Sequence, residues 1–265
     1  MDTLTDGLSA LLGRPVLSSR RMAGGDLSTV YELVLSDGTR AVAKQGESLW
    51  READMLRAIA AKGVPVPAVL ATGGGWLVME KLPADGTPAW DDLATCLNRL
   101  HAPAAEPYGW PHDHNLGAVG MSNARTDDWA GFWAEHRLRC HTAHVGAALR
   151  ARIERLADRL RDHIPERPPA ALLHGDLWGG NVLVSGARVS GLIDPACHFG
   201  HREVDVAMLT LFDHPPAAFF DALGLDAGWR GRLPVYRLWP LLVHLRLFGQ
   251  AYAAAVDADL RRLGA

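Results

Sequence analysis

His174-Gly175-Asp176-Leu177-Trp178-Gly179-Gly180-Asn181, followed by Leu192-Ile193-Asp194-Pro195, is the stretch on which the reading of this 265-residue chain turns. It sets an acid, an amide five residues later, and a second acid at what reads as a strand end. Phosphoryl transfer to a hydroxyl needs that order. Negative charge spreads over the oxygens of a phosphoryl group in transit, and divalent metal must neutralise it while a carboxylate orients the nucleophile. Asp176 is therefore predicted as the base. Asn181 offers an amide oxygen and Asp194 a carboxylate, hard ligands suited to a magnesium ion that bridges nucleotide phosphates. Val182-Leu183-Val184, then Ser185-Gly186, then Val189 to Ile193 read as a hairpin that brings Asn181 and Asp194 back toward one another. Asp, Asn and Gly also populate ordinary turns, but this spacing is joined by an upstream lysine, and the conjunction reads as a kinase.

Only three lysines, Lys44, Lys62 and Lys81, occur against 24 arginines. Lys44 ends Ala41-Val42-Ala43-Lys44, a strand predicted to pair with Val30 to Leu35 through the Ser36-Asp37-Gly38-Thr39 turn. An ammonium there can reach phosphate oxygens. Ahead of these strands, Ala23-Gly24-Gly25-Asp26-Leu27-Ser28 is a small-residue loop in which Gly24 and Gly25 would let backbone N–H groups approach phosphates. The spacing of Leu49, Ala53, Leu56 and Ala60 predicts a helix over Ser48 to Lys62, with Ser48 as N-cap. Glu52 lies on its apolar side, where an unpaired carboxylate is costly, and Lys44 is the predicted partner, with Arg51 and Arg57 as the alternatives.

Beyond Gly63-Val64-Pro65-Val66-Pro67, two strands are predicted at Val69 to Ala71 and Trp76 to Met79, leading into Glu80-Lys81-Leu82-Pro83 as a hinge. Backbone groups of Glu80 and Leu82 would meet an adenine edge, with Val42 and Met79 lining the base pocket. That assignment rests on architecture rather than side-chain chemistry. The rest is helical: Trp90, Leu93, Ala94, Leu97 and Leu100 share a face, Phe132 to Leu138 starts another helix, and Arg150 to Arg161 reads as a solvated one. Trp229 to Phe248 is rich in Leu, Trp and Val but contains Pro234, Pro240 and several basic residues, so it is predicted as a buried helix pair rather than a membrane span. Pro103 to Thr126 is the longest irregular stretch and a candidate wall of the acceptor pocket.

A 48% hydrophobic content over this length supports a large core in a two-lobed enzyme. The predicted class is α+β, with a small antiparallel-sheet lobe over residues 1–82 and a mainly helical lobe over 83–265. A net charge of −3 without dense basic runs points away from nucleic acid, and nothing resembling a signal peptide opens the chain, so the cytoplasm is expected. A monomer is favoured. Three unpaired cysteines and scattered histidines, His112, His114, His136, His141 and His144 among them, fit no disulfide or zinc pattern.

Several of these residues together carry a family resemblance. His174 to Asn181, then Asp194-Pro195-Ala196, then Gly200-His201-Arg202-Glu203-Val204-Asp205-Val206-Ala207-Met208 resemble the fructosamine kinase (ketosamine 3-kinase) family of aminoglycoside-phosphotransferase-like kinases. The likeness extends over Asn115-Leu116-Gly117, Asp128-Trp129 with Phe132, His136-Arg137-Leu138, Leu211-Phe212 and Phe219-Phe220. It implies ATP- and magnesium-dependent phosphorylation of the 3-hydroxyl of a ketosamine, a glycated amine or glycated protein, which labilises the adduct and permits deglycation. By motif position it implies Asp176 as base, Asn181 and Asp194 as magnesium ligands, Lys44 as phosphate lysine and Glu52 as its partner. Trp178 is the family's distinctive residue, whose indole either packs against a sugar ring, the preferred reading, or wedges the loop, and Asp205 resembles a brace for the catalytic loop. The glycine-rich loop departs from the family pattern, and Asp26 there would repel phosphates unless it turned away. The remaining readings are an aminoglycoside or amino-alcohol kinase, for whose cationic substrates Asp85, Asp91, Asp92 and Glu106 are candidate partners, and a nucleotide-binding pseudokinase module.

Overall fold

In the computed structural model, which describes residues 3–22 and 29–265, the chain begins with helix α1 (Thr3–Leu12) and strand β1 (Val16–Arg21). Strands β2 (Thr29–Leu35) and β3 (Arg40–Gln45), helix α2 (Leu49–Ala61), and strands β4 (Val69–Gly73) and β5 (Trp76–Glu80) follow. The strands form one antiparallel sheet in the order β1-β2-β3-β5-β4. Gly24, Gly25 and Asp26 lie outside the described residues.

Strand alternation sets what each face of β3 does. Ala41 and Ala43 pack with Leu8, Leu33, Leu35 and Val78 under α1. Val42 and Lys44 therefore face the other way, toward α2, whose Leu49, Ala53 and Leu56 pack on Leu77 and Met79. Ser48 does not cap α2 as predicted: its backbone is left-handed (φ 56°) and its hydroxyl makes no capping bond. In that conformation the side chain is carried away from the first-turn N–H groups that a cap must reach.

The remainder is mainly helical, with α3 (Trp90–Leu100), α4 (Trp129–Trp133), α5 (Ala147–Asp158), α6 (Glu203–Phe212), α7 (Ala217–Leu223), α8 (Trp229–Phe248) and α9 (Ala253–Arg262). Short antiparallel pairs interrupt it: β6 (His114–Leu116) with β7 (Val119–Met121), β8 (Ala171–Leu173) with β11 (His198–Gly200), and β9 (Val182–Ser185) with β10 (Arg188–Leu192). The stretch Pro103 to Thr126, predicted as the longest irregular one, thus contains the β6–β7 hairpin. The helix predicted from Phe132 is instead the end of α4, a π-helical turn over Ala134–Leu138 and a 3₁₀ segment over Arg139–His144.

Trp229 to Phe248 is one continuous helix, not a pair. An interior proline costs about 3 kcal/mol through its lost N–H and ring clash. α8 keeps both because Leu233, Val235, Tyr236, Leu238, Trp239, Leu241, Leu242 and Val243 are buried along it, and at about 1.5–3 kcal/mol for each large apolar side chain the packing outweighs two prolines. Among the described residues no helix is long and apolar enough to cross a membrane.

The β9–β10 hairpin is stitched to the sheet side. Leu192 N–H donates to Pro65 O at 2.9 Å, and Asp85 and Gly86 N–H both reach Val184 O at 3.0 and 2.9 Å. Its register pairs Arg188 with Ser185 and Leu192 with Val182. Asn181 and Asp194, flanking its two ends, are thereby brought to one place.

Candidate active site

A cleft of about 1060 Å³ lies where the sheet meets the helical part. Val42, Lys44, Met79, Glu80, Leu82, Asp176, Trp178, Asn181 and Asp194 all line it, so of the described residues predicted for base, metal, nucleotide and sugar all but Glu52 border one cavity. Glu52 stands one contact behind. Its carboxylate accepts from Lys44 Nζ at 2.6 Å, while Arg51 goes to Asp113 O and Arg57 to Asp54. Lys44 also pairs with Asp194. Burial works to lower the Lys44 pKa, but the Glu52 and Asp194 carboxylates outweigh it and hold the ammonium above its usual range. Glu52 is raised, chiefly by burial and further by Asp194, with Lys44 opposing.

The catalytic-loop candidate is built by β8, which delivers His174, and by Asp205, fully buried in the first turn of α6. Asp205 accepts the N–H of His174 at 2.8 Å and of Gly175 at 2.9 Å, and meets His101 Nε2 at 2.8 Å. Burial alone would raise its pKa, yet His101, His174 and the Gly175 N–H stabilise the carboxylate enough to lower it. His174 is equally determined. Its Nε2 contacts Ile193 O at 2.9 Å, where it can only donate, so Nδ1 carries the lone pair that accepts from Asp176 N–H at 3.3 Å. Gly175 has φ 82°, and a Cβ there would stand 2.0 Å from Ala196 O, so backbone geometry and space both require glycine.

Asn181 Nδ2 donates to Asp176 O at 2.8 Å and Oδ2 at 3.2 Å. Two acceptors on that side fix the amide orientation and turn Oδ1 outward. Burial pushes Asp176 up to about 6, with the Asn181 bond opposing and Asp194 and Asp205 reinforcing. Asp194 holds φ 56°, a left-handed backbone uncommon outside glycine, of the kind that clusters at functional sites. At the hinge, Glu80 N–H is taken by Ala68 O at 2.9 Å, so only its carbonyl could serve a ligand. Leu82 N–H has no partner among the described residues.

The two glycines between Trp178 and Asn181 are each demanded by a side chain. A Cβ on Gly180 would meet the Trp178 ring at 2.2 Å, and one on Gly179 would meet Asp213 Oδ1 at 2.4 Å. Gly179 N–H donates to Asp213 Oδ2 at 2.7 Å. The indole thus lies flat over Gly180.

Several contributors were missed from sequence: His101, Asp213, and the aromatic residues His244, Phe248 and Tyr252, which line the cleft beyond Trp178. His244 and Phe248, four residues apart on α8, share a helix face, and that spacing was the available signal for them, whereas Tyr252 lies in the 3₁₀ turn beyond Gly249. Of the irregular stretch predicted to wall the acceptor pocket, Leu116 alone lines the cleft, and Asp85, Asp91, Asp92 and Glu106 do not. Asp92 instead accepts from Val189 N–H and pairs with Arg188, and Glu106 pairs with Arg125.

A small antiparallel lobe with a buried lysine–glutamate pair, set over a helical lobe that carries the Asp-x4-Asn loop, defines the protein-kinase-like phosphotransferases. The model of the fructosamine kinase family matches residues 3–264, and the chain belongs to that family. It is 32% identical to the "Probable ketoamine kinase" of Synechocystis, over 98% of this chain and 95% of that protein. It is 35% identical to the "Probable ketoamine kinase YniA" of Escherichia coli K12, over 80% and 79%. A crystal structure assigned as a fructosamine-3-kinase, from Thermobifida fusca, superposes with TM-score 0.89 at 32% identity over the whole of both chains. An aminoglycoside phosphotransferase in ternary complex with ADP and hygromycin B superposes with TM-score 0.69 over 98% of this chain and 99% of that one. At 16% identity that likeness shows the fold alone.

Proposed function

We propose that this kinase phosphorylates a sugar hydroxyl of a small ketosamine, the 3-hydroxyl, using ATP, and thereby labilises the glycated amine. The observation that carries the reading is the convergence of Lys44, Asp176, Asn181 and Asp194 on one cleft, in a chain whose relatives are named ketoamine kinases. Residues 1–82 form the nucleotide lobe and 83–265 the catalytic and acceptor lobe. The adenine edge meets Glu80 C=O and Leu82 N–H, with Val42 and Met79 against its faces. Lys44, held by Glu52, binds phosphate oxygens. Asn181 Oδ1 and the Asp194 oxygen not engaged by Lys44 are hard donors that fit magnesium, which when bound supplies neutralisation of phosphate charge. Asp176 takes the proton from the acceptor hydroxyl as its oxygen bonds the γ-phosphorus and the bridge to ADP breaks. Trp178 packs its indole against the sugar.

ADP release measured with ribulosamines, fructosamines, aminoglycosides and amino alcohols tests this. Turnover is expected with ketosamines, with an absolute requirement for magnesium and loss in Asp176→Asn. Preferential turnover of an aminoglycoside or amino alcohol overturns the substrate assignment, and undiminished turnover by Asp176→Asn overturns the base.

A further inference from the structure

The cleft continues past the reacting centre, and its far end has a chemistry of its own. Trp178 meets Phe212 edge-on at 6.1 Å between ring centroids; Phe212 meets His244 at 5.2 Å; His244 meets Phe248 at 5.4 Å and Tyr252 at 4.9 Å. Phe212 is the last residue of α6, His244 and Phe248 lie one turn apart on α8, and Tyr252 follows Gly249 in a short 3₁₀ turn. Three elements thus contribute to one aromatic wall.

Its exposure is unusual. Five large apolar side chains are exposed among the described residues, and Trp178 at 40%, Phe212 at 38% and Phe248 at 49% are three of them. Large apolar surface gathered in one place, rather than scattered singly, marks a binding site. The described carboxylates lining the cleft are Glu80, Asp176 and Asp194, all at the hinge or catalytic end. His244 adds no positive charge, since burial lowers its pKa. Its Nδ1 contacts Pro240 O at 2.7 Å, where it can only donate, which leaves the Nε2 lone pair as an acceptor. Among the described residues the far end is therefore aromatic and without a charged group, with His244 Nε2 and the Tyr252 hydroxyl as polar groups.

We infer that Phe212, His244, Phe248 and Tyr252 form a subsite for the amine-derived substituent of the ketosamine, selecting aromatic or bulky apolar amines over cationic ones. The inference rests on the ketosamine reading. With the 3-hydroxyl at Asp176 and the ring of Trp178 beside it, the nitrogen lies two carbons from the reacting carbon, so its substituent leaves the catalytic centre directly. The hydroxylated tail of the sugar gains little from a wall that offers it, besides ring faces, chiefly His244 Nε2 and the Tyr252 hydroxyl. An apolar substituent exchanges water for aromatic faces. The ammonium of a lysine-derived substituent would be drawn weakly by the ring faces but would find no carboxylate among the described residues of the wall, and by keeping its water it gains less than a phenyl ring.

The test compares kcat/KM for three ketosamines of one sugar, made from phenethylamine, ethanolamine and lysine, in wild type and in Phe248→Ala and Tyr252→Ala. Phe248 is half exposed, so its loss spares the core. The phenethylamine adduct is expected to exceed the ethanolamine adduct about tenfold, through KM, the lysine adduct is expected to be no better than ethanolamine, and the ratio is expected to fall toward one in both variants. Equal kcat/KM for all three, preference for lysine, or an unchanged ratio in the variants overturns the subsite while leaving the ketosamine reading intact. Turnover of no ketosamine removes both. If the wall instead seats a second copy of the chain, the solution mass will be that of a dimer, Phe248→Asp will restore the monomer, and the amine preference will be absent, which also overturns the proposal.

Discussion

Lys44 on β3 and Asp194 beyond β10 form an ion pair across the cleft although 150 residues separate them in the chain. The same ammonium holds Glu52 on α2, so one side chain ties three elements together. Lys44→Met would leave two carboxylates facing each other without a cation. We expect kcat/KM to fall by about 100-fold or more, the usual scale for losing a donor aimed at developing charge. Lys44→Arg should recover little, because a planar fork cannot stand in for a point charge between two acids. Near-wild-type kinetics for either variant would contradict the role.

Asp176 titrates near 6 by virtue of its burial. As a base it works ionised, so kcat/KM should rise with pH through about 6 and level off above it. Replacement by Asn should cost about 10²–10⁴ in kcat. A flat profile between pH 5 and 8 would show that another group sets the limb.

The same shift has a stability consequence of opposite sense. A carboxyl whose folded pKa exceeds its ordinary value of 3.8 binds its proton more tightly when folded, so its contribution favours the fold below about 4 and is lost as pH rises to 6. Asp176→Asn should therefore melt a few degrees above wild type at pH 8, and the difference should vanish near pH 4. An inactive variant that also melts lower at pH 8 would mean that the burial cost is not felt.

Asp205 differs from Asp176 in kind, since it serves the backbone. Asp205→Asn would oppose an amide NH₂ to the His174 or Gly175 N–H and break a buried network, for which about 3–5 kcal/mol is typical. Thermal denaturation should show a loss of roughly 6–15 °C, with activity falling in parallel. A Tm within 2 °C of wild type would refute the bracing role.

Two glycines five residues apart should respond differently. Gly175→Ala drives a methyl into Ala196 O at positive φ, with rigid backbone on both sides, and is expected to prevent stable folding. Gly180→Ala meets only the Trp178 ring, which is partly exposed and can swing aside. That variant should fold with little change in Tm yet lose acceptor affinity, seen as a raised KM.

The convergence of Asp176, Asn181 and Asp194 was legible because the chemistry proposed for them constrains residue type and spacing together, and the hairpin between Asn181 and Asp194 is a local pattern. The Lys44–Glu52 pair was legible because a carboxylate on an apolar helix face needs a cation. Ser48 and the Pro234–Pro240 segment were misread because local propensity argued for a cap and a break: the left-handed backbone at Ser48 denied the first, and the packing along α8 overrode the second. His101 and Asp213 left no local trace, because each acts on a backbone N–H or carboxylate far away in sequence. The loop at Gly24 and Gly25 lies outside the described residues, and its role stays a proposal.

Arg51 and Trp50 on α2 reach across to the strap ahead of β6, where Arg51 Nη1 donates to Asp113 O at 2.7 Å and Trp50 meets His112 edge-on at 4.9 Å. Asp113 in turn receives Asn123 N–H, and Asn123 receives the buried Arg137. The helix bearing Glu52 is thereby moored from the opposite lobe by the chain's own groups. In this structure the ammonium and carboxylate therefore stand docked together, the helix cocked by a tether that the chain itself encodes.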